Sequence, residues 1–388
     1  MSSDNDTENE STISDVSVLD EEEINEFIGC VLEDRYLILD YLDNGTFCRV
    51  YMAYDIQCDK HCAIKVLNFD NDHEGEKEIN LLNKLGNCEN IIKIYGSFIH
   101  EDNLCIVLEL LGLAVIDLIN LVECIHPQFT RIIKKVILDT SNGLNTLKDK
   151  LIVHTDLKLE NIMTNIFPER TKKIIEIVSS IDIQEHRRHF YNGKITCIDN
   201  SWTRNEITLF KNSLRDDFND FISEKVIDEL NKYDLPEHNI LSNIPEERFD
   251  FNCKIIDLGN AEKLDLRTGY ILGTIHIRCY RSPENFLYNK FSFNSDIWTL
   301  GCLLFEMLFN EKFLEANCNL KNKEYFYYIK NKVSELDEYI EEEFDIINFR
   351  DIAERTQFIE FLKNTLVIDA INRWEVEECL KSKLLECV

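Results

Sequence analysis

The sequence predicts an α+β fold, with strand-like runs early in the chain and helical spacing beyond them. Three observations carry this. Alternating and β-branched runs cluster between residues 36 and 108. Apolar residues recur at helical spacing from 130 to 149. The 388 residues, 44% hydrophobic and 29% charged, are enough to bury a sizeable core.

Taken in order, residues 1–34 read as an acidic tail. The first thirty hold ten Asp or Glu and no Lys or Arg, so they bury too little apolar surface to offset the entropy of ordering, and disorder is expected. From Arg35 the pattern turns strand-like. Residues 36–41 and 49–54 flank the loop Asp43-Asn44-Gly45-Thr46-Phe47-Cys48. Cys62-Ala63-Ile64-Lys65 is a short strand ending in lysine, and Glu78-Ile79-Asn80-Leu81-Leu82 opens a helical pattern. Residues 104–125 are apolar enough to raise the question of a membrane span. They contain Glu109, Asp117 and Asn120, so a buried strand, a connection and a helix are expected instead.

Composition narrows the function. A net charge of −30 is too acidic for a nucleic-acid binder and favours basic partners or substrates. Fourteen cysteines are scattered without a CxxC pair, and the N-terminus has no secretory apolar stretch, which together fit a reducing intracellular compartment. Cytoplasm or nucleus is therefore expected, as is a monomer without membrane contact.

Chemistry concentrates in Val153-His154-Thr155-Asp156-Leu157-Lys158-Leu159-Glu160-Asn161. An acid, a lysine and an amide within six positions can serve phosphoryl transfer as base, charge clamp and metal ligand. The segment resembles the H-R-D-x-x-x-x-N catalytic loop of eukaryotic protein kinases, and partners follow in the family's order. Cys62-Ala63-Ile64-Lys65 resembles the V-A-I-K strand, Lys254-Ile255-Ile256-Asp257-Leu258-Gly259 the D-F-G element, and Ser282-Pro283-Glu284 the A-P-E element.

The resemblance implies a bilobal kinase-like fold: an N-lobe over residues 35–108, a hinge at 109–112 and a C-lobe over 113–388. It implies ATP and Mg2+, with Asp156, Lys158, Lys65 and Glu78 catalytic and Asn161 and Asp257 on the metal. Glu74 and Glu76 are rivals of Glu78 for pairing with Lys65. Nucleotide contacts fall to Leu42, Asp43, Asn44, Gly45, Thr46, Phe47, Cys48, Val50, Ala63, Lys65, Leu108, Glu109, Leu111 and Met163. Glu284 is expected to pair with Arg373, and His154 to pack in the core beneath Leu258. In the phosphate loop only Gly45 of the three family glycines survives, which weakens the expected backbone approach to phosphate.

Within the family the chain looks most like the SR-protein kinases of the CMGC group, with LAMMER kinases next. The features are His154-Thr155-Asp156, Asp257-Leu258-Gly259-Asn260-Ala261, Arg278-Cys279-Tyr280-Arg281-Ser282-Pro283-Glu284, and 95 residues between Asn161 and Asp257. About 167–250 therefore forms a spacer insertion, helical over 213–233, in which His186 and His189 stand on a charged stretch rather than at a metal. The implied activity is transfer of the γ-phosphate of ATP to Ser/Thr in basic, arginine-serine-rich proteins. Seven carboxylates in eleven positions (Glu335, Asp337, Glu338, Glu341, Glu342, Glu343, Asp345) suit such a substrate, or else form a solvated helix face. Thr155 replaces the arginine that would pair with a phosphorylated activation segment, so activity without that modification is expected. Two other readings stay open: a catalytically silent scaffold for basic partners, and a CMGC-like kinase with unrelated substrates.

Overall fold

A computed structural model describes residues 26–45, 48–68, 72–195, 202–237, 251–316 and 319–386. The strand-rich half is a six-stranded antiparallel sheet: β1 (Val31–Leu32), β2 (Tyr36–Gly45), β3 (Cys48–Asp55), β4 (Lys60–Leu67), β5 (Ile94–His100) and β6 (Asn103–Leu108), in the order β1-β2-β3-β4-β6-β5. Helix α1 (Asp72–Leu85) crosses between β4 and β5. Alternation sorts the strands' side chains onto two faces. Ile38, Tyr51, Ala53, Ile64 and Val107 pack with Phe27 and Leu32 on one of them.

Two expectations for this lobe need correction. The acidic tail does not extend to residue 34. Phe27 is buried against Tyr51, Arg49 pairs with Glu26 at 2.8 Å, and β1 pairs with β2, because apolar Phe27, Val31 and Leu32 have a sheet to cover. Residues 1–25 lie outside the described residues. Nor is 43–48 a six-residue loop. The ladder continues through Asp43↔Val50, Asn44↔Arg49 and Gly45↔Cys48, since residues with ordinary β-carbons pair readily where glycines would not hold a strand. Thr46 and Phe47 lie outside the described residues.

The segment read as strand, connection and helix is β6, a connection, and α2 (Val115–Leu121). No helix among the described residues is long and apolar enough to cross a membrane. The connection passes so close to residue 166 that a β-carbon on Gly112 would stand 2.0 Å from the Ile166 carbonyl oxygen, so only glycine fits.

The helical half is organised around α3 (Phe129–Asp149) and a helix at Phe293–Phe309, of which every residue from Ser295 to Leu308 is buried. The predicted 130–149 helix is therefore present and one residue longer at its start. Between them stand the short pairs β7 (Ile152–Val153) with β10 (Glu262–Lys263), β8 (Ile162–Thr164) with β9 (Cys253–Ile255), and β11 (Ile271–Leu272) with β12 (Lys290–Phe291).

The insertion falls between β8 and β9. It holds α4 (Glu169–Ser180), α5 (Ile183–Ile195) and α6 (Arg204–Leu230). Leu214, Phe218, Ile222, Val226 and Leu230 recur every four residues on one face of α6, with Phe218, Ile222, Val226 and Leu230 packing with Ile174, Ile177 and Val178 against Leu37, Leu39, Met52 and Tyr54 of the sheet. The insertion thus leaves the helical lobe and grips the strand-rich one. Arg170 makes a two-pronged pair with Asp40 at 2.7 and 2.8 Å, Arg215 pairs with Asp34 at 2.8 Å, and Ser223 donates to the Gly29 carbonyl. His186 faces the Phe221 ring and His189 pairs with Glu185, and no group of metal-holding side chains occurs among the described residues.

Candidate active site

The site forms where four separate stretches meet. β4 carries Lys65 in mid-strand, with its backbone locked between Val50 and Ile106. α1 presents Glu78, and the Lys65 Nζ lies 2.8 Å from its Oε2. Of the three glutamates that compete in the sequence, the buried one makes the pair. The same ammonium lies 3.0 Å from Asp257 Oδ1, while the second Glu78 oxygen accepts from the Leu258 N–H at 3.3 Å. One lysine and one glutamate therefore join β4, α1 and the segment after β9.

Electrostatics set the charge states. Burial alone would lower the Lys65 pKa, but the carboxylates of Glu78 and Asp257 outweigh it and raise it above its ordinary value. Burial would raise the Asp257 carboxyl, but Lys65 outweighs that and holds it below the usual range. A cation flanked by two anions stays charged through the physiological range. Cys48, set in the strand above them, is pushed up by burial against the pull of Lys65 and remains a thiol.

The second cluster is the turn from residue 154 to 161. Asn161 donates through Nδ2 to the Asp156 carbonyl at 2.8 Å and to Asp156 Oδ2 at 3.3 Å, and Lys158 Nζ stands 3.5 Å from the same Oδ2. The carboxylate is thereby aimed by two neighbours. The Asn161 carbonyl accepts from Ile256 N at 2.9 Å, which registers this turn against Asp257. Asp257 has φ 60° and Thr155 φ 71°, left-handed backbone that these contacts maintain. His154 is fully buried, its Nε2 3.0 Å from the Ile256 carbonyl, two residues before Leu258.

The residues expected to meet a nucleotide lie on β2, β3, β4, β6, the connection after it and β8. Val50 on β3 and Ala63 on β4 lie across the ladder from Lys65 and Met52 respectively, and Met163 on β8 forms an isolated antiparallel bridge with Ala114. Leu42 packs where the main core meets the insertion's core. Leu108 ends β6. The Glu109 N–H is committed to the Lys93 carbonyl at 2.9 Å, and its carboxylate holds Lys254 and the Lys93 N–H, both at 2.7 Å. That N–H is therefore already committed within the protein. Asp43 and Asn44 are tied together, the Asp43 carboxylate accepting from the Asn44 N–H at 2.8 Å.

The sequence reading missed Asp296. Its Oδ2 accepts from His154 N at 2.8 Å and its Oδ1 from Thr155 N at 3.3 Å, so it suspends the 154–161 turn from the buried helix. A signal was present: a single acid at the head of the apolar run 293–309 has to be paired if it is buried. The expected pair of Glu284 with Arg373 is formed, at 2.9 and 3.0 Å.

Asp257 and Asn161 supply carboxylate and amide oxygens on two backbones tied by a hydrogen bond, a donor set suited to a hard divalent cation such as Mg2+. Lys65 stands beside Asp257 as a fixed positive charge.

Comparison with known proteins agrees with this geometry. The protein kinase domain family matches residues 36–212 and 230–385. Among curated proteins, the chain is 27% identical to the serine/threonine-protein kinase Doa of Drosophila melanogaster and to the human dual specificity protein kinase CLK1, over 286 residues in each case. These matches cover 72% of this chain, 26% of the Drosophila protein and 45% of the human one. The dual specificity protein kinase YAK1 of Saccharomyces cerevisiae is 30% identical over 169 residues, 41% of this chain and 21% of that protein. The chain thus spans less than half the length of these relatives. A crystal structure of a kinase domain matches 93% of this chain and all of its own length, with a TM-score of 0.58 at 20% identity, which bears on the fold alone.

Proposed function

Because the chain belongs to the protein kinase family, we propose that it is an active serine/threonine kinase of the CMGC group, moving the γ-phosphate of ATP to protein hydroxyls. The observation that carries this is Lys65 held between Glu78 and Asp257, with Asp156 aimed by Asn161 and Lys158 across the same cleft.

Each residue then has a physical task. Lys65 binds the α- and β-phosphates as a fixed charge, and Glu78 keeps it from swinging away. Asp156 accepts the proton of the substrate hydroxyl as the bond to phosphorus forms. Lys158 offsets charge on the transferring group. Asp257 and Asn161 would hold Mg2+, which neutralises phosphate charge when bound. Val50, Ala63 and Met163 offer apolar faces to the adenine ring.

For the substrate we infer basic, arginine-serine-rich proteins. Support comes from the helix Asn322–Glu343, which exposes Glu335, Asp337, Glu338, Glu341 and Glu342, with Asp345 just beyond its end. Lys363 offsets Asp337 and Arg355 offsets Asp345, leaving the glutamates of this face to attract cations. The test is to incubate purified protein and an Asp257→Ala control with labelled ATP, Mg2+, an arginine-serine repeat peptide, casein and myelin basic protein. Asp257-dependent labelling of the repeat peptide is expected. Labelling of the other substrates alone would keep the kinase and discard the substrate class. No transfer by a folded protein would leave a scaffold for basic partners.

A further inference from the structure

Thr155 cannot answer a phosphorylated activation segment, so another contact has to hold that segment against the catalytic turn. We propose that His276 is the positioning residue that does so without phosphate, a proposal that rests on the kinase reading above. The residue lies at the substrate-side end of the segment that runs from Asp257 to Glu284.

His276 is bonded to the catalytic turn by its backbone, and its side chain lies beside the acid that holds that turn. Its N–H donates to the Thr155 carbonyl at 2.9 Å. Its fully buried imidazole places Nε2 3.4 Å from Asp296 Oδ1 and 3.3 Å from Thr299 Oγ1. Asp296 is the same carboxylate that accepts from the backbone N–H groups of His154 and Thr155. One buried acid is therefore shared between the turn that carries Asp156 and the segment that receives the substrate. Nε2 is hydrogen-bonded with the Thr299 hydroxyl and has Asp296 Oδ1 beside it, while Nδ1 has no hydrogen-bond partner in its buried position.

The backbone supports the same role. His276 has φ 57°, a left-handed conformation that a residue with a β-carbon keeps only when its surroundings impose it. Arg281 imposes it from the far side, donating from Nε to the Ile275 carbonyl at 2.9 Å and from a terminal nitrogen to the His276 carbonyl at 3.1 Å. Thr155 closes the loop at the other end, its hydroxyl donating to the Asn260 carbonyl at 2.8 Å, three residues after Asp257. The side-chain hydroxyls of Thr268 and Thr274 are bonded to oxygen acceptors, at Asp265, Tyr270 and Asn289, rather than to a cation that a phosphate would need.

The experiment compares full-length wild type, His276→Leu and His276→Gln, all treated with phosphatase and shown by mass to be free of phosphate. Leucine fills the buried space without a donor, while glutamine retains one. Steady-state kinetics are read together with the thermal midpoint. We expect phosphate-free wild type to stay active. His276→Leu should lose at least tenfold in kcat with KM for ATP within twofold, because the Lys65 side of the cleft is untouched. His276→Gln should recover to within threefold of wild type. A leucine variant with wild-type kcat would overturn the inference and leave the kinase reading standing. Loss of wild-type activity on phosphatase treatment would overturn it too, whether or not the variants fold. A wild-type protein inactive both before and after treatment would overturn the kinase reading and this inference together.

Discussion

Lys65 shows how much one side chain can carry. It sits at 13% exposure between a glutamate at 2% and Asp257, so removing its charge strands a buried carboxylate as well as emptying the phosphate site. Lys65→Met is expected to abolish phosphoryl transfer and also to destabilise the fold by about 3 kcal/mol, the cost of breaking a buried ion pair from one side. Lys65→Met combined with Glu78→Leu should regain most of that stability and none of the activity. Urea unfolding of the single and double variants, read beside labelled-ATP transfer, separates the two roles. Equal stability of the single variant and wild type would mean that Glu78 finds another partner.

At the scale of elements, the insertion adds to the contacts between the lobes, beside the 109–112 connection, the Lys65 pairs and the Lys77–Glu262 pair. Its helices bring an apolar stripe to β2 and β3, and Phe218, Ile222 and Val226 each contribute about 1.5–3 kcal/mol by burial. Its polar anchor is Arg170, whose partner Asp40 has a side chain only 5% exposed. Arg170→Ala leaves that acid buried and unpaired, with an expected loss of about 3 kcal/mol. It should also free β2 and raise KM for ATP, since Leu42 and Asp43 follow Asp40 on the same strand. Calorimetry and ATP titration check this; an unchanged melting temperature would show the pair to be solvent-screened.

Across the whole molecule, carboxylates outnumber cations 72 to 42, so most exposed ones face others of like charge. A few are structural. Burial would raise the Glu284 carboxyl, but the fully buried Arg373 and the Ser295 hydroxyl outweigh it and hold it below the ordinary range. A depressed folded pKa means that the stabilisation is present above the unfolded glutamate value of about 4.3 and is lost as pH falls below it. Acid unfolding should therefore steepen below about pH 4.3, and Glu284→Gln should flatten that limb while lowering stability at neutral pH. Urea midpoints from pH 7 to 3 test this, and parallel curves for the two proteins would exclude the pair as the cause.

Local order and chemistry were legible in the chain itself. Strand alternation, the 3.6-residue periodicity of 130–149, and the lysine, aspartate and asparagine motifs are short-range patterns, and short-range sterics and burial are enough to write them. What brings Lys65 within 3.0 Å of Asp257, 192 residues away, is packing, and no local pattern encodes it. The same holds for the insertion's choice of β2 and β3 as its landing surface. It holds also for the buried acid Asp296, which accepts from the catalytic turn and lies beside His276. The sequence by itself determined the family and the candidate reactive groups, because these depend on residue type and spacing. Only the tertiary structure decided which of those groups share a partner, because a buried charge is satisfied by whatever the fold carries to it.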